Sequence, residues 1–192
     1  MAQALPRLPC DTLFTLTGSI YSAERFQSFV TAFAGWRERY LHRTGKVAHI
    51  YYAGGDHLQV SRLIDVLKVR DWVTVQTYLD LGDLAALCKS EFVAANMYIK
   101  GSPFHHKLLE LLSADKPVVA YGGETEESFS LAKLCQGALY GPSDGASLAA
   151  TLDDLTSSNI PIGSAGIAGR MFSWSAQAAK LEQLFRNVST TK

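Results

Sequence analysis

The stretch Pro103-Phe-His-His-Lys-Leu-Leu-Glu-Leu-Leu-Ser-Ala-Asp-Lys-Pro-Val-Val-Ala120 decides how this 192-residue chain is read. It predicts a short helix, a tight turn at Ala114-Asp115-Lys116 and a buried strand over Val118–Tyr121. At about 100° per residue, Phe104, Leu108, Leu109, Leu111 and Leu112 share one apolar arc, while His106, Lys107 and Glu110 share the opposite, polar arc. Lys100-Gly101-Ser102-Pro103 precedes the helix, with a freely turning glycine and two residues suited to a helix start. A helix that begins this way aims unpaired N–H groups and the positive end of its dipole outward, which suits a phosphate. A carboxylate two turns in can accept hydrogen bonds from ribose hydroxyls. An amphipathic helix with a solvated polar face fits the same residues, and both readings stand at this point.

On either side the chain alternates strand and helix. Thr12–Thr17 reads as a strand ending at Gly18-Ser19-Ile20-Tyr21. Ser22 then caps a long helix with Phe26, Phe29, Val30, Phe33 and Trp36 at helical spacing. Lys46–Tyr52 is a second strand, closed by Ala53-Gly54-Gly55-Asp56, and a helix from about His57 to Lys68 turns Val60, Leu63, Ile64 and Leu67 inward. Further strands are expected at Trp72–Thr77, Phe92–Ala95 and Gly137–Tyr140. Further helices are expected at Asp80–Ser90, Glu126–Cys135, Gly145–Leu155 (capped by Ser143, with Asp153 and Asp154 solvated) and about Gly166 to Arg186. Short apolar strands bounded by Gly and Pro argue for a parallel sheet covered on both faces. The predicted fold is α/β, a Rossmann-like doubly wound parallel sheet of about six strands, with ligands bound beyond the carboxyl ends of the strands. Residues 1–11 read as a lead-in, 12–187 as the domain with its C-terminal helix, and 188–192 as a tail.

Composition narrows the function. Hydrophobic residues make up 47% and charged residues 19%, ordinary for a globular domain, and the formal net charge is zero. A neutral chain without a clustered basic excess argues against nucleic acid as a partner. Cys10, Cys88 and Cys135 are widely spaced in no metal pattern, which points to a reducing, cytoplasmic compartment. No apolar run reaches signal-peptide or membrane-spanning length. Adjacent His105 and His106 point about 100° apart on a helix and do not make the i, i+4 pair that shares an ion. There is no Gly-x-Ser-x-Gly elbow, no Gly-Lys-Ser/Thr phosphate loop and no Gly-x-Gly-x-x-Gly.

The helix–turn–strand of the opening stretch resembles the donor-site signature of GT-B glycosyltransferases, especially the large retaining family 4. Leu108-Leu109-Glu110-Leu-Leu-Ser-Ala-Asp-Lys-Pro-Val-Val-Ala stands where that family has Leu-Leu-Glu-Ala-Met-Ala-x-Gly-Lys-Pro-Val-Val-Ala. The resemblance makes Glu110 the ribose-binding glutamate. The family's first glutamate falls at Ser102, as in a sub-branch with Ser-Pro-x-x-x-Lys-Leu-x-Glu, in which Lys107 is the family's lysine. Thr17-Gly18-Ser19-Ile20-Tyr21-Ser-Ala-Glu24-Arg25 aligns with Val-Gly-Arg-Leu-x-x-x-Lys-Gly. The usual Arg and Lys of that turn are here Ser19 and Glu24, and Arg25, one residue on, takes over the diphosphate role, with a plain solvated arginine as the alternative. Tyr78 and Leu79 fall near the family's base-contacting Phe-x-Gly, where Tyr78 either stacks on a base or covers a core edge. Met171-Phe-Ser-Trp174 and Leu181-Glu-Gln-Leu-Phe185 resemble the family's last helix.

The resemblance covers nearly all of residues 12–187. It implies the donor-binding half of a glycosyltransferase that moves a sugar from a nucleotide diphosphate to an acceptor hydroxyl. Glu110, Arg25 and Lys107 take the catalytic roles. Gly18, Ser19, Tyr78, Leu79, Lys100, Gly101, Ser102, His106, Leu108 and Glu110 line the nucleotide. No metal or cofactor is implied beyond the nucleotide-sugar substrate. The expected partner is a missing N-terminal acceptor domain or a second chain, and the expected place is the cytoplasm, peripheral to the inner face of the membrane in a full-length protein. The alternatives are a non-catalytic nucleotide-binding or partner-binding subunit, or a GT-B-like sugar-nucleotide epimerase. An exposed apolar patch at Phe14, Tyr21 or the last helix would mark a lost partner surface.

Overall fold

The structure, a computed structural model, describes residues 8, 10–101, 107–157 and 167–189. Six strands, β1 (Thr12–Thr17), β2 (Ala48–Ala53), β3 (Val73–Gln76), β4 (Val93–Ile99), β5 (Val118–Tyr121) and β6 (Leu139–Tyr140), form one sheet in the order β3-β2-β1-β4-β5-β6. Every neighbouring pair is parallel. The helices are α1 (Ala23–Thr44), α2 (His57–Val66), α3 (Leu81–Lys89), α4 (Lys107–Leu112), α5 (Glu126–Leu134), α6 (Gly145–Ser157), α7 (Ile167–Phe172) and α8 (Trp174–Ser189). The connection from β3 to β4 crosses back over β2 and β1. The strand order therefore reverses between β1 and β4, and that point is where a doubly wound sheet opens a ligand crevice.

Strand alternation builds the two layers. Phe14 and Leu16 of β1 and Ile50 and Tyr52 of β2 face α1, α2 and α6, and Met97, Ile99, Val119 and Tyr121 continue that layer. On this side Phe33 of α1 stacks on Trp72 at 5.6 Å between ring centroids, and Trp36 meets Phe14 edge-on at 5.7 Å. The Trp36 indole N–H donates to Asp153 of α6 at 2.9 Å, which ties α6 to α1. The opposite layer is smaller and more polar. Tyr98, Val118 and Ala120 pack with Leu108, Leu111 and Leu112 of α4 and with Cys88 and Ala132 of the flanking helices.

Several boundaries differ from the sequence reading. The fourth strand was expected at Phe92–Ala95 but runs Val93–Ile99, so Met97-Tyr98-Ile99, beyond its expected end, are buried strand. Asn96 interrupts the apolar run. The sheet accommodates it because its Nδ2 donates to the Cys88 carbonyl at 3.1 Å and its Oδ1 accepts from the Thr15 hydroxyl. The cap of α6 is Asp144, which accepts from the Ser147 N–H at 2.8 Å, and not Ser143. Asp153 is not simply solvated; besides Trp36 it takes the Arg43 guanidinium at 2.6 Å. The final helix is two helices that break at Ser173, whose hydroxyl accepts from the Ala176 N–H at 3.2 Å. Phe14 is fully buried and so is no part of an exposed patch, whereas Tyr21 is 55% exposed. Among the described residues no helix is long and apolar enough to cross a membrane.

Candidate functional site

All strands run the same way, so their following turns share one rim, and the switch point brings the turn after β1 beside the turn after β4. Gly18 opens the first turn at φ +88, a conformation that costs a glycine little. This turn is pinned to β2. The Tyr52 hydroxyl donates to the Gly18 carbonyl at 2.7 Å, and the Ile20 N–H donates to Asp56 at 2.9 Å. Burial pushes the Tyr52 phenol up to about 12, so it stays a hydrogen-bond donor at any working pH.

Lys107 begins the described part of α4 and reaches across the switch point. A Cβ placed on Gly18 would stand 3.4 Å from Lys107 Cε, so a side chain at 18 would crowd the lysine. Its ammonium pairs with Glu110 at 3.2 Å, with the carboxylate side chain 60% exposed. The sequence reading placed Gly18, Lys107 and Glu110 in one site, and the fold brings these three together. Leu108 points the other way, into the core, and is fully buried, so the fold does not bring it to this site. Ser19 is exposed at the same turn. Ser102 and His106 lie outside the described residues.

Arg25, in the first turn of α1, comes to the other side of the crevice. Its Nη1 donates to the Lys100 carbonyl, and its side chain lies against Gly122. Beside it opens a cleft of about 350 Å3, walled by Ser22, Glu24, Arg25, Ser28, Tyr121 and Ser143, with the Ser28 and Tyr121 hydroxyls 2.8 Å apart. Gly101 follows β4 beneath the Tyr21 ring. A Cβ there would fall 2.2 Å from Tyr21 Cγ, so only glycine admits this contact. Lys100 does not face the crevice as a loose cation: its Nζ donates to Glu124 at 3.3 Å, and the two side chains are 16% and 1% exposed. Tyr78 is 78% exposed beyond β3, with its hydroxyl next to Gly55, so it does not cover a core edge. Leu79 packs in a small cluster with Leu13, Tyr51 and Leu87.

Four residues of this rim escaped the sequence reading: Tyr52, Asp56, Tyr98 and Glu124. Asp56 and Glu124 each follow a double-glycine turn after a strand, a position that was visible. Tyr98 was hidden by the misread end of β4. Burial alone would raise the Glu124 carboxyl. Hydrogen bonds from Ser128, the Thr125 N–H, Tyr98 and Lys100 outweigh it and hold Glu124 below the usual carboxylate range. The Tyr98 phenol, buried and facing that carboxylate, is pushed well up.

No family model and no curated protein matches the chain by sequence. Its fold matches solved structures. A glycosyltransferase from Rickettsia africae ESF-5 is 15% identical with a TM-score of 0.59, the match covering 96% of this chain and 50% of that one. The lipopolysaccharide outer core galactosyltransferase WaaB is 17% identical with a TM-score of 0.58, covering 95% of this chain and 51% of that one. A putative UDP-N-acetylglucosamine 2-epimerase from Listeria monocytogenes is 13% identical with a TM-score of 0.61, covering 89% and 46%. At these identities the likeness is one of fold. The chain spans about half the length of these proteins, and its architecture is that of one Rossmann-like half of a GT-B fold.

Proposed function

We propose that this domain is the donor-binding half of a glycosyltransferase. It takes a nucleotide-diphosphate sugar across the switch point between β1 and β4. The observation that carries the reading is Lys107, drawn over Gly18 and paired with a carboxylate that is mostly in solvent. With its carboxylate end in solvent the pair is screened and contributes little, about 0–1 kcal/mol, so it opens at little cost when a diphosphate arrives. Lys107 then meets the phosphates, and Glu110 is released to accept hydrogen bonds from the ribose hydroxyls. Arg25 closes on the diphosphate from the α1 side with a planar, multidentate donor. Ser19 and Gly101 flank the crevice, Ser102 and His106 belong to the nucleotide-binding set that the resemblance implies, and Tyr78 and Leu79 stand toward the base.

In the transfer, the bond from the anomeric carbon to the terminal phosphate oxygen breaks, a bond from that carbon to the acceptor oxygen forms, and the hydroxyl proton passes to the departing diphosphate. Negative charge grows on the departing diphosphate, and Lys107 and Arg25 neutralise it without a metal or an organic cofactor. The acceptor comes from a second domain or chain across the crevice. The test is calorimetric titration of this chain with UDP, GDP and ADP, repeated on Glu110→Ala. One nucleotide is expected to bind saturably, with affinity about tenfold lower in the variant, or ~1.4 kcal/mol. A folded sample that binds none of the three would overturn the reading.

A second reading, a nucleotide-binding or partner-binding subunit without turnover, draws on one observation. Positions 19 and 24 carry Ser and Glu where the resembled family has its cations, and Arg25 is already bonded to the Lys100 carbonyl. Nucleotide binding without transfer from any donor, in the presence of the complementary half, would select it.

A further inference from the structure

The rim after β4 carries a buried ionic cluster for which the donor reading has no use. One oxygen of Glu124, Oε1, accepts from the Tyr98 hydroxyl at 2.7 Å. The other, Oε2, accepts from Lys100 Nζ at 3.3 Å and from the Thr125 N–H at 2.9 Å. The carboxylate side chain is 1% exposed, so every one of these bonds replaces lost water. Lys100 is thus gripped by its side chain. It is also gripped by its main chain, because its N–H donates to the Tyr121 carbonyl at 2.9 Å. The carbonyl of this doubly held residue is the acceptor that Arg25 uses. Arginine has a long, freely rotating stem, and its planar head takes its aim from the acceptor that it finds. At Gly122 a side chain would press on that head, a Cβ there standing 3.4 Å from Arg25 Nη1, so the path of the stem is also kept clear.

We propose that Glu124 is a positioning residue for Arg25. By locking Lys100 from below, it fixes the carbonyl that aims the Arg25 guanidinium along the switch point, and it spends the Lys100 ammonium inside the fold instead of on a ligand. The relay runs Glu124 to Lys100 to Arg25, and links the turns after β5 and β4 to the first turn of α1. Its role at a diphosphate rests on the donor-site reading; the relay itself does not.

The first test needs no ligand. In wild-type protein labelled with nitrogen-15 and carbon-13, rotation about the Arg25 Cζ–Nη bonds is expected to be slowed relative to solvent-exposed arginines such as Arg62. In Glu124→Gln, which keeps the size and removes the charge, that rotation is expected to approach the exposed rate. Unchanged Arg25 dynamics in a folded Glu124→Gln protein would overturn the proposal. If that variant does not fold, Lys100→Met cuts the same relay at its middle and is read in the same way. The second test is a double-mutant cycle on the nucleotide that the wild type binds best among UDP, GDP and ADP. Glu124→Gln is expected to weaken binding about fivefold in the wild-type background and less than twofold when Arg25 is already alanine. An equal loss in both backgrounds would mean that Glu124 acts by general support of the fold, and would overturn the relay. If the wild type binds no nucleotide, the donor reading fails while the Arg25 dynamics still decide the relay.

Discussion

The two layers of this domain are built from different chemistry. On the α1 side, Phe14, Phe33, Trp36 and Trp72 interlock with ring centroids 5.2 to 5.7 Å apart. Among the described residues, the only ionisable side chains buried in this cluster are the tyrosines Tyr40, Tyr52 and Tyr121. On the α4 side the core is aliphatic and small, and polar groups penetrate it: Thr15 and Asn96 in mid-sheet, and Tyr98 with Glu124 at the rim. The difference teaches a division of labour. Large rings bury the most area per residue and fix how α1 and α6 sit on the sheet. The opposite layer gives up area, and in exchange it holds charged groups at the carboxyl ends of β1 and β4.

The sharpest way to break this division is Phe33→Ala. Phe33 is fully buried and touches four other rings, so truncation is expected to cost about 4 kcal/mol of unfolding free energy in urea titration. Nucleotide affinity of whatever fraction remains folded is expected to be unmoved. A large change in affinity would show that the aromatic layer reaches the rim.

Lys107→Ala is the reverse case. It is expected to weaken nucleotide binding about tenfold or more, ~1.4 kcal/mol, while shifting stability by less than about 0.5 kcal/mol. Calorimetry and urea titration on one sample read both quantities. A stability loss as large as the affinity loss would make Lys107 a structural residue.

His49 gives the smallest effect. Its Nε2 lies 2.8 Å from the Thr74 hydroxyl, and burial, with the Arg37 charge, holds its pKa below the ordinary 6.5. The folded state therefore takes the proton less readily than the unfolded chain. The stability this represents is complete above pH 6.5 and falls away as pH drops through the folded pKa, at no more than about 1.4 kcal/mol per pH unit. His49→Gln is expected to flatten that part of the pH–stability curve between pH 7 and 5. An unchanged slope would place the sensitivity elsewhere.

Much of this domain could be read from short-range pattern. The apolar spacing in α1, the β-rich runs of β1 and β2, and Ser22 as a cap are local facts, and they fixed the alternation from which the parallel sheet follows. That the turns after the strands lie along one rim was also legible, because strands of a parallel sheet all end on the same side; where the strand order reverses was not. The misread elements share a cause. β4 looked finished at Ala95 because Asn96 is polar, and only its partners, the Cys88 carbonyl and the Thr15 hydroxyl from the distant β1, make it a buried strand residue. Asp153 looked solvated because Trp36 and Arg43 lie more than a hundred residues away.

What the sequence determined by itself, then, is the order and kind of the elements and the lining-up of the glycine turns along one rim, since periodicity and turn chemistry are properties of neighbouring residues; the grouping of Gly18 with Lys107 and Glu110 came from the family resemblance. What only the tertiary structure decided is which charges are available. Lys100 and Lys107 look alike in the sequence as cations flanking one loop. Folding buries Lys100 against Glu124, twenty-four positions on, and leaves Lys107 with a partner that water can replace. A charge is spent or kept by the solvent and the carboxylates around it, and those are assembled only when strands far apart in the chain come side by side.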